Sequence, residues 1–327
     1  MLKSNIFSKV VSTGSFLPGK AVTNSDLGSM LQGRGVEISD QWIQERTGIL
    51  TRHFSDILDT SGLAFEASKK AISNSGLKRS EIGLVIVATT TPDKIFPSIA
   101  CQLQKNLGIK ECPAFDVQAV CTGFLYALTI ADLFIRSGQT KHALVTGAEK
   151  LSKIVNWEDR STCVLFGDGA GSVILSQSET PGILNSNLCA DGSFMEMLHA
   201  PGWFHDGLVK GTPFIQMDGK AVFKKAVEVL SKSAVQLLTD SGIELTEIDW
   251  YVPHQANIRI IRGVGKKLEL ESSKIVETVQ KHANTSAASI PLALDTAFSD
   301  GRITEKDKVL LQGVGGGFTW GSLIFTV

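Results

Sequence analysis

An internal repeat runs through most of the chain and restricts the folds that it can adopt. A helical pattern, a Ser-Gly turn and a short apolar strand follow one another between Ala64 and Thr91, and the same order recurs from Leu230. Landmarks of the two copies keep one constant separation, which we call the repeat offset: Ser75 and Ser241, Glu81 and Glu247, Ala127 and Ala293, Gly147 and Gly313. The repeat predicts an α/β protein of two halves rich in βαβ units, each with a buried sheet, related by a pseudo-twofold axis.

The ends of the two copies and the segment between them define the expected organisation. Each copy closes with a glycine-rich segment before an apolar strand, at Gly167–Gly171 and Gly315–Gly317. Turn-forming residues near position 180 place the junction there, which gives an N-terminal half at 1–180 and a C-terminal half at 181–327. Residues 190–220 match neither copy and are rich in glycine, proline and aromatic side chains, so we expect a loop or a substrate lid.

Charge, hydropathy and cysteine spacing exclude several classes of function. The formal net charge is -1, which gives no basis for binding nucleic acid or a membrane surface. No apolar run reaches the roughly 20 residues that a membrane-spanning helix needs. The five cysteines are odd in number and include no Cys-x-x-Cys pair, which argues against a disulfide framework and a zinc site. We therefore expect a cytoplasmic globular protein.

Cys121 lies at the predicted start of a helix. It follows a strand-like stretch, Ala114–Val120, and precedes a helical pattern that runs from Gly123 to Arg136. Free backbone N–H groups and the helix dipole favour negative charge at such a position and are expected to lower the pKa of the thiol. Cysteine is also a common core residue, so the position alone leaves a nucleophile and a buried structural residue both open.

Two polar residues in the second half could act with this thiol. His254 directly follows the apolar strand Trp250–Val252, a position at which α/β enzymes place functional groups. Asn284 opens the helix that the repeat pairs with the Cys121 helix. Two helix N-termini are therefore expected to meet near the pseudo-twofold axis. A core histidine and a capping asparagine are the alternatives for each residue alone, but together with the symmetry they favour one shared site.

Four stretches resemble the β-ketoacyl-acyl-carrier-protein synthase III family, the condensing enzymes of thiolase-like fold that initiate type II fatty-acid synthesis. The resemblance covers essentially the whole chain, and its motifs are Phe115-Asp-Val117 through Cys121-Thr-Gly-Phe124, Pro253-His-Gln-Ala-Asn257, Asn284-Thr-Ser-Ala-Ala-Ser289 and Gly315-Gly-Gly-Phe-Thr-Trp-Gly-Ser322. It implies a core layered α-β-α-β-α. It also implies decarboxylative Claisen condensation of a short acyl-CoA, acetyl-CoA foremost, with malonyl-acyl-carrier protein.

The resemblance implies a role for each residue of the catalytic set. Cys121 would take the acyl group from coenzyme A as a thioester, and the backbone N–H groups of Cys121 and Gly316 would form the oxyanion hole. His254 and Asn284 would donate hydrogen bonds to the malonyl thioester oxygen and stabilise the enolate left by carbon dioxide. Decarboxylation drives the reaction, so no metal and no cofactor beyond the thioester substrate are expected.

The resemblance also implies binding sites around this centre. The residues expected to hold coenzyme A are Trp42, Arg46, Arg160 and Asn257. Those expected to dock the acidic acyl-carrier protein are Lys224, Arg259, Lys266 and Lys267. Phe96 is expected to cross a homodimer interface into the acyl pocket of the other subunit, where its ring would favour a short starter.

Three other functions share part of this pattern. A papain-like protease uses Cys, His and Asn in the same order, but its signature around the nucleophile is absent here. A dinucleotide-binding module needs a glycine where Gly167–Gly171 is followed by Ser172, and this segment precedes a strand rather than joining strand to helix. A related enzyme of secondary metabolism could join the acyl-cysteine to another nucleophile, although His254 and Asn284 favour the decarboxylative reaction.

Overall fold

The computed structural model describes residues 6–327, which form two main sheets with helices between and outside them. The strands are β1 (Phe7–Phe16), β2 (Val22–Thr23), β3 (Thr51–Arg52), β4 (Val85–Ala88), β5 (Ala114–Val117), β6 (His142–Glu149), β7 (Gly169–Ser178), β8 (Ile183–Ala190), β9 (Leu198–His199), β10 (Trp203–His205), β11 (Leu208–Lys210), β12 (Gln216–Met217), β13 (Trp250–Pro253), β14 (Lys308–Gly315) and β15 (Thr319–Thr326). The helices are α1 (Asn24–Met30), α2 (Asp40–Thr47), α3 (Thr60–Ser75), α4 (Ile99–Leu107), α5 (Gly123–Arg136), α6 (Gly219–Ser241), α7 (Ile258–Lys267), α8 (Val279–His282) and α9 (Ser289–Ser299).

The second main sheet repeats four of the five strands of the first in the same order. Their orders are β1-β7-β6-β4-β5 and β8-β15-β14-β13. In the parallel pair β4–β6 of the first sheet Val85 faces Leu144, and in the parallel pair β13–β14 of the second Tyr251 faces Leu310, which is the same register moved by the repeat offset. The last strands, β7 and β15, lie closer together in sequence than this offset, because the connection after β6 is longer than the one after β14. The repeat inferred from the sequence is confirmed.

Two helices form the middle layer of the fold. Helices α5 and α9 each contact strands of both sheets, while α3 and α4 cover the outer face of the first sheet and α6 covers that of the second. The α5 sequence is mostly apolar and buries Phe124, Leu125, Leu128 and Ile135, as a helix packed between two sheets requires. The expected α-β-α-β-α layering is confirmed.

Glycines on the central strands allow the middle layer to come close. A Cβ atom on Gly147 of β6 would lie 2.2 Å from the carbonyl oxygen of Ala287, so any side chain there would collide with the backbone that leads into α9. The counterpart Gly313 of β14 faces Thr122, which leads into α5, with a corresponding gap of 3.3 Å. Each half therefore packs the helix entry of the other half against a strand glycine.

Residues 190–220 contain more regular structure than a loop. Strand β9 pairs with β12, and β10 with β11, so the segment is an antiparallel arm rather than an irregular excursion. The junction placed between residues 180 and 181 falls between β7, which ends at Ser178, and β8, which begins at Ile183. The division into two separate halves stays a prediction. In residues 6–327, no helix is long and apolar enough to cross a bilayer.

The glycine contacts make an asymmetric prediction about stability. We expect Gly147→Ala to lower the free energy of unfolding by about 3 kcal/mol or more, since backbone must move, and Gly313→Ala to cost about 1 kcal/mol. Urea unfolding followed by tryptophan fluorescence measures both. Equal losses in the two variants would contradict the close approach at Gly147.

Candidate active site

Two tight turns meet between the halves and build the centre of the site. The 3-10 turn Val120–Thr122 leads into α5, and the 3-10 turn Ser286–Ala288 leads into α9; we call them the first and second elbow. The elbows contact one another. Val120 and Ser286 each have a φ of 48°, a left-handed conformation that costs a non-glycine residue about 1–2 kcal/mol. The two strained residues are separated by the repeat offset, so the elbows are a matched pair.

Cys121 occupies the first elbow, two residues before α5, as the sequence predicts. Its side chain is 5% exposed, and burial raises the pKa of the thiol to about 12, with the charge of Glu149 adding to the rise. The expectation that the helix N-terminus lowers this pKa is therefore wrong for the free protein. Desolvation of the thiolate outweighs the helix dipole when the thiol is this deeply enclosed.

His254 lies at the end of β13, as expected, and faces the same cavity as Cys121. Its backbone N–H donates to the Gln312 carbonyl at 2.7 Å, which ties it to the neighbouring strand. Burial lowers the pKa of the imidazole to about 3. The side-chain Nδ1 is buried without a partner in residues 6–327. A neutral imidazole with one N–H can donate a hydrogen bond without carrying charge.

Asn284 is fixed by both its backbone and its side chain. Its N–H donates to the Leu165 carbonyl, and its carbonyl accepts from the Gly167 N–H. Its Oδ1 accepts from the Ser286 N–H at 2.9 Å. With Oδ1 engaged, the Nδ2 group is left to donate. Asn284 lines the same cavity as Cys121 and His254, so the structure brings together the three residues singled out from the sequence.

Cys121 lies where two cavities meet. The first, of about 440 Å³, we call the entrance cavity; its lining includes Trp42, Arg46, Phe223, His254, Asn257 and Asn284. The second, of about 640 Å³, we call the inner cavity; its lining includes Val120, Leu151, Ile154, Leu198, Trp203 and Ser286. The thiol can therefore be reached by one group from the entrance cavity and can deliver another into the inner one. In residues 6–327, no group of three His, Cys, Asp or Glu side chains could hold a metal ion.

Three of the four residues expected to bind coenzyme A line the entrance cavity, and the fourth, Arg160, stacks on Trp42 at its edge. The guanidinium carbon of Arg160 lies 4.4 Å from the centre of the Trp42 ring, and that of Arg46 lies 4.8 Å from it. Such an aromatic and cationic cluster suits a purine and phosphates. Asn257 caps α7 and also donates from Nδ2 to the Arg46 carbonyl at 3.0 Å. Its side chain therefore holds α2 and α7 together, and its contact with a ligand stays a prediction.

The glycine next to Cys121 differs from the one named in the oxyanion prediction. A Cβ atom on Gly315 would lie 2.7 Å from the Cys121 backbone nitrogen, whereas one on Gly316 would meet the Leu198 carbonyl oxygen at 2.6 Å. Gly316 thus packs beneath the arm formed by residues 190–220. Its role in an oxyanion hole stays a prediction. Phe318 is 1% exposed and also lines the entrance cavity.

The residues assigned to partner contacts are all exposed. The docking residues lie on α6 and α7, which pack together beside the entrance cavity: Lys224, Arg259, Lys266 and Lys267. Phe96 is 82% exposed and does not line the inner cavity of its own chain, whereas its neighbour Ile95 does. The placement agrees with the expectation that Phe96 serves another subunit but does not test it.

Sequence reasoning missed two residues beside the nucleophile. Ser286 lines the inner cavity with Cys121, and the carboxyl of Glu149 is close enough to affect the pKa of the thiol. The repeat could have identified both. Ser286 is the counterpart of Val120, and Glu149 is the counterpart of Gly315, each at the repeat offset.

The buried histidines make stability depend on pH. His254 and His282 have folded pKa values of about 3 and about 4 because of burial, against about 6.5 in the unfolded chain. The unfolded state therefore binds more protons below pH 6.5, and stability falls as pH drops from there toward 4. We expect His254→Gln to reduce the loss between pH 6.5 and 5 by roughly 1–2 kcal/mol in urea unfolding. Substitution of the exposed His205 with Gln is the control. If it reduced the pH dependence of the unfolding free energy as much as His254→Gln does, that dependence could not be assigned to the buried His254.

Comparisons with known proteins identify the family to which a chain with this site belongs. A family model described as 3-oxoacyl-acyl-carrier-protein synthase III matches residues 115–192, and the model of its C-terminal part matches residues 238–327. The chain is 54% identical over 319 residues to a β-ketoacyl-acyl-carrier-protein synthase III of Bordetella petrii, covering 97% of each chain.

Solved structures agree with the sequence comparisons. The 3-oxoacyl-acyl-carrier-protein synthase III of Aquifex aeolicus superposes with a TM-score of 0.92 at 43% identity, covering 98% of this chain and 100% of that one. The enzyme of the same name from Pseudomonas aeruginosa gives 0.91 at 34% identity, covering 98% of each chain. The chain therefore belongs to the 3-oxoacyl-acyl-carrier-protein synthase III family and has the thiolase-like fold of these condensing enzymes.

Proposed function

We propose that this protein condenses a short acyl-CoA, acetyl-CoA foremost, with malonyl-acyl-carrier protein and so initiates fatty-acid synthesis. One observation carries the proposal: Cys121, His254 and Asn284 line a single cavity, and Cys121 alone of the three also lines the second one. A thiol at such a junction can hold an acyl group in one cavity while a second thioester reacts in the other. The names of the relatives support the same reaction.

The first half-reaction loads the thiol. Acyl-CoA enters with its nucleotide against Trp42 and Arg46, and the Cys121 sulfur attacks the thioester carbonyl. The backbone N–H groups of Cys121 and Gly316 stabilise the oxyanion, and coenzyme A leaves as its thiolate. The apolar lining of the inner cavity receives the acyl chain, since an apolar wall favours a hydrocarbon over water.

The second half-reaction forms the carbon–carbon bond. Malonyl-acyl-carrier protein enters through the vacated entrance cavity, and its thioester oxygen accepts hydrogen bonds from His254 and the Asn284 Nδ2. Loss of carbon dioxide leaves the electron pair on the enolate, which attacks the acyl carbon and releases the Cys121 thiolate. Neutral donors suit this step, because a buried imidazole with a pKa of about 3 stays uncharged and can donate its N–H without a competing charge.

Charge around the entrance supports docking of an acidic carrier protein. Arg259 and Lys220 line the entrance cavity itself, and the docking residues Lys224, Lys266 and Lys267 are exposed on the same helix pair. Clustered positive charge steers a negative partner to the correct opening, even when the whole chain is close to neutral.

An exposed apolar cluster supports a homodimer. Ile95, Phe96, Trp203, Phe204 and Leu208 are all more than half exposed, and several of them surround the inner cavity. In one chain this cavity has a volume of about 640 Å³. That is far more space than an acetyl group fills, since the group has only three non-hydrogen atoms and a water molecule, with one, takes about 30 Å³. Phe96 of a second copy would fill part of it. All five cysteines are free thiols, which supports the reducing cytoplasm as the location.

Substitution of the three central residues separates the two half-reactions. We expect Cys121→Ala to abolish the acyl adduct formed with acetyl-CoA, as read by intact mass. Asn284→Asp keeps the acceptor for the Ser286 N–H but loses the donor, and His254→Ala loses the other donor. Both should retain acylation and lower malonyl decarboxylation by about 10²- to 10³-fold, the usual cost of one oxyanion donor. An acyl adduct on the Cys121→Ala protein would refute the scheme.

Phe96 tests the dimer and the starter length together. We expect Phe96→Ala to shift intact-mass labelling from acetyl-CoA toward octanoyl-CoA by about tenfold, since a methylene or two of pocket space is worth about 1–3 kcal/mol. Ile57→Ala removes another highly exposed apolar side chain and serves as the control. An unchanged ratio for Phe96→Ala would exclude its ring from the acyl pocket.

A further inference from the structure

Glu149 is a fully buried carboxyl group that the reaction described above does not use. It ends β6, and its side chain is 0% exposed. Every hydrogen bond that it accepts from residues 6–327 comes from the uncharged segment Thr89–Thr91, including those from the Thr90 and Thr91 N–H groups at 3.1 Å. Burial raises the pKa of this carboxyl despite these donors. A buried carboxylate without a cation is costly, so its position calls for a chemical reason.

Ser286 stands between Glu149 and the nucleophile. It belongs to the second elbow, which contacts both the first elbow and strand β6, and it lines the inner cavity together with Cys121. Its hydroxyl lowers the pKa of the Cys121 thiol and also that of the Glu149 carboxyl. The residue is 1% exposed, and its Oγ makes no well-formed hydrogen bond within residues 6–327. Its backbone is held in the left-handed region by the second elbow. A hydroxyl that is buried, unpartnered and fixed between two titratable groups can take a proton from one and pass one to the other.

The pseudo-twofold symmetry gives an independent reason for this arrangement. Gly315 of β14 contacts the first elbow, where its Cα faces the Cys121 nitrogen. Glu149 is the equivalent residue of β6, so its side chain extends toward the second elbow, at Ser286. The first half thus has a carboxyl group where the second half has no side chain at all. Because the two elbows contact one another, this carboxyl group lies on the Cys121 side of the second elbow.

The charged neighbours do not compensate Glu149. Lys150 follows it in the chain, but its Nζ donates to the Leu58 carbonyl at 3.0 Å and lies 3.6 Å from Asp59. Lys153 pairs with Asp93 at 3.2 Å. On the second elbow the facing group is the Ser286 hydroxyl, and on the first it is the Cys121 thiol. Cys121 and Glu149 therefore share one dry region in which two negative charges would repel strongly.

We propose that Ser286 passes the Cys121 proton to Glu149 when the thiol attacks the acyl thioester, and that Glu149 holds this proton for the lifetime of the acyl-enzyme. The proposal rests on the proposed function. The transfer moves one buried negative charge from the carboxylate to the sulfur instead of creating a second. His254 is a poorer acceptor, since burial lowers its pKa to about 3.

The proton balance closes over the whole reaction. In acylation the S–H proton goes to the Ser286 oxygen while the Ser286 O–H proton goes to the Glu149 carboxylate. The sulfur gains the acyl carbon, and the coenzyme A thiolate takes a proton from solvent. In condensation the enolate attacks the acyl carbon, the C–S bond breaks, and the Cys121 thiolate recovers the proton from Glu149 through Ser286. In this scheme Ser286 exchanges a proton with the reacting sulfur, whereas Glu149 acts through Ser286 and is a positioning residue.

The test measures acylation separately from condensation. Rapid-quench intact mass records the rate of Cys121 acylation by acetyl-CoA, without malonyl-acyl-carrier protein, from pH 6 to 9. We expect Glu149→Gln and Ser286→Ala each to slow acylation by about 10²- to 10⁴-fold, the usual range of general-base catalysis. Both should leave the acetyl-CoA concentration for half-maximal rate unchanged. The double variant should be no slower than the slower single one, because both act on one route.

The pH profile distinguishes proton transfer from a structural role. With the proton route from Cys121 through Ser286 to Glu149 intact, the acylation rate does not change with pH once Glu149 is ionised. Without it, the thiol must ionise directly to solvent, and the rate should rise about tenfold per pH unit through this range. Asp168→Asn is the matched control. Asp168 is also fully buried and accepts from Ser55 and Ser152, so its loss should lower the melting temperature and leave the profile level.

The outcomes separate this inference from the proposed function. A wild-type protein that acetyl-CoA does not acylate refutes the proposed function itself. An acylated wild type with a level profile in Glu149→Gln overturns only the proton transfer, and so does a steep profile in Asp168→Asn. If Glu149→Gln fails to fold, Ser286→Ala decides alone, since it removes one small hydroxyl and a level profile there overturns the proposal equally.

Discussion

The contact between two backbone turns across the pseudo-twofold axis is the constraint on which the rest of the structure depends. At Gly147 the carbonyl of Ala287 occupies the space that a side chain would need, and in the opposite half Thr122 approaches Gly313 less closely. This approach lets α5 and α9 form one layer between two sheets. It also places a residue of the first half, Cys121, beside residues of the second half that are far away in sequence.

Burial sets the chemistry of the centre. The raised pKa of Cys121 and the lowered pKa of His254 share their largest cause, which is the cost of charging a group without water. The site of the free protein is consequently neutral at its donors and at its nucleophile. Hydrogen bonds made there to a developing negative charge are strong, since no solvent competes and no donor has to reorient. The disadvantage is that the thiol needs a route for its proton.

The sequence predicted the architecture well, because periodic features carry it. The constant repeat offset, the strand before His254 and the helix from Gly123 to Arg136 can all be read from the chain, and all three are found in the structure. Properties that depend on how the halves enclose one another could not be predicted. The helix start at Cys121 indicated a lowered pKa, but the opposite half supplies the burial that reverses it. The strands of residues 190–220 are only two or three residues long, so the composition of the segment predicted a loop or a lid, although Asp206-Gly207 between β10 and β11 is a typical two-residue hairpin turn.

The meeting of two cavities at one sulfur has a kinetic consequence. Both substrates of the proposed reaction would use the same opening in turn, so the enzyme would follow a ping-pong order in which the first product leaves before the second substrate enters. An excess of the second substrate would then occupy free enzyme and inhibit turnover competitively against the first. Flux through the enzyme would depend on the ratio of the two thioester concentrations rather than on either concentration alone. The shared opening would thereby make the reaction rate respond to the balance between the two substrates.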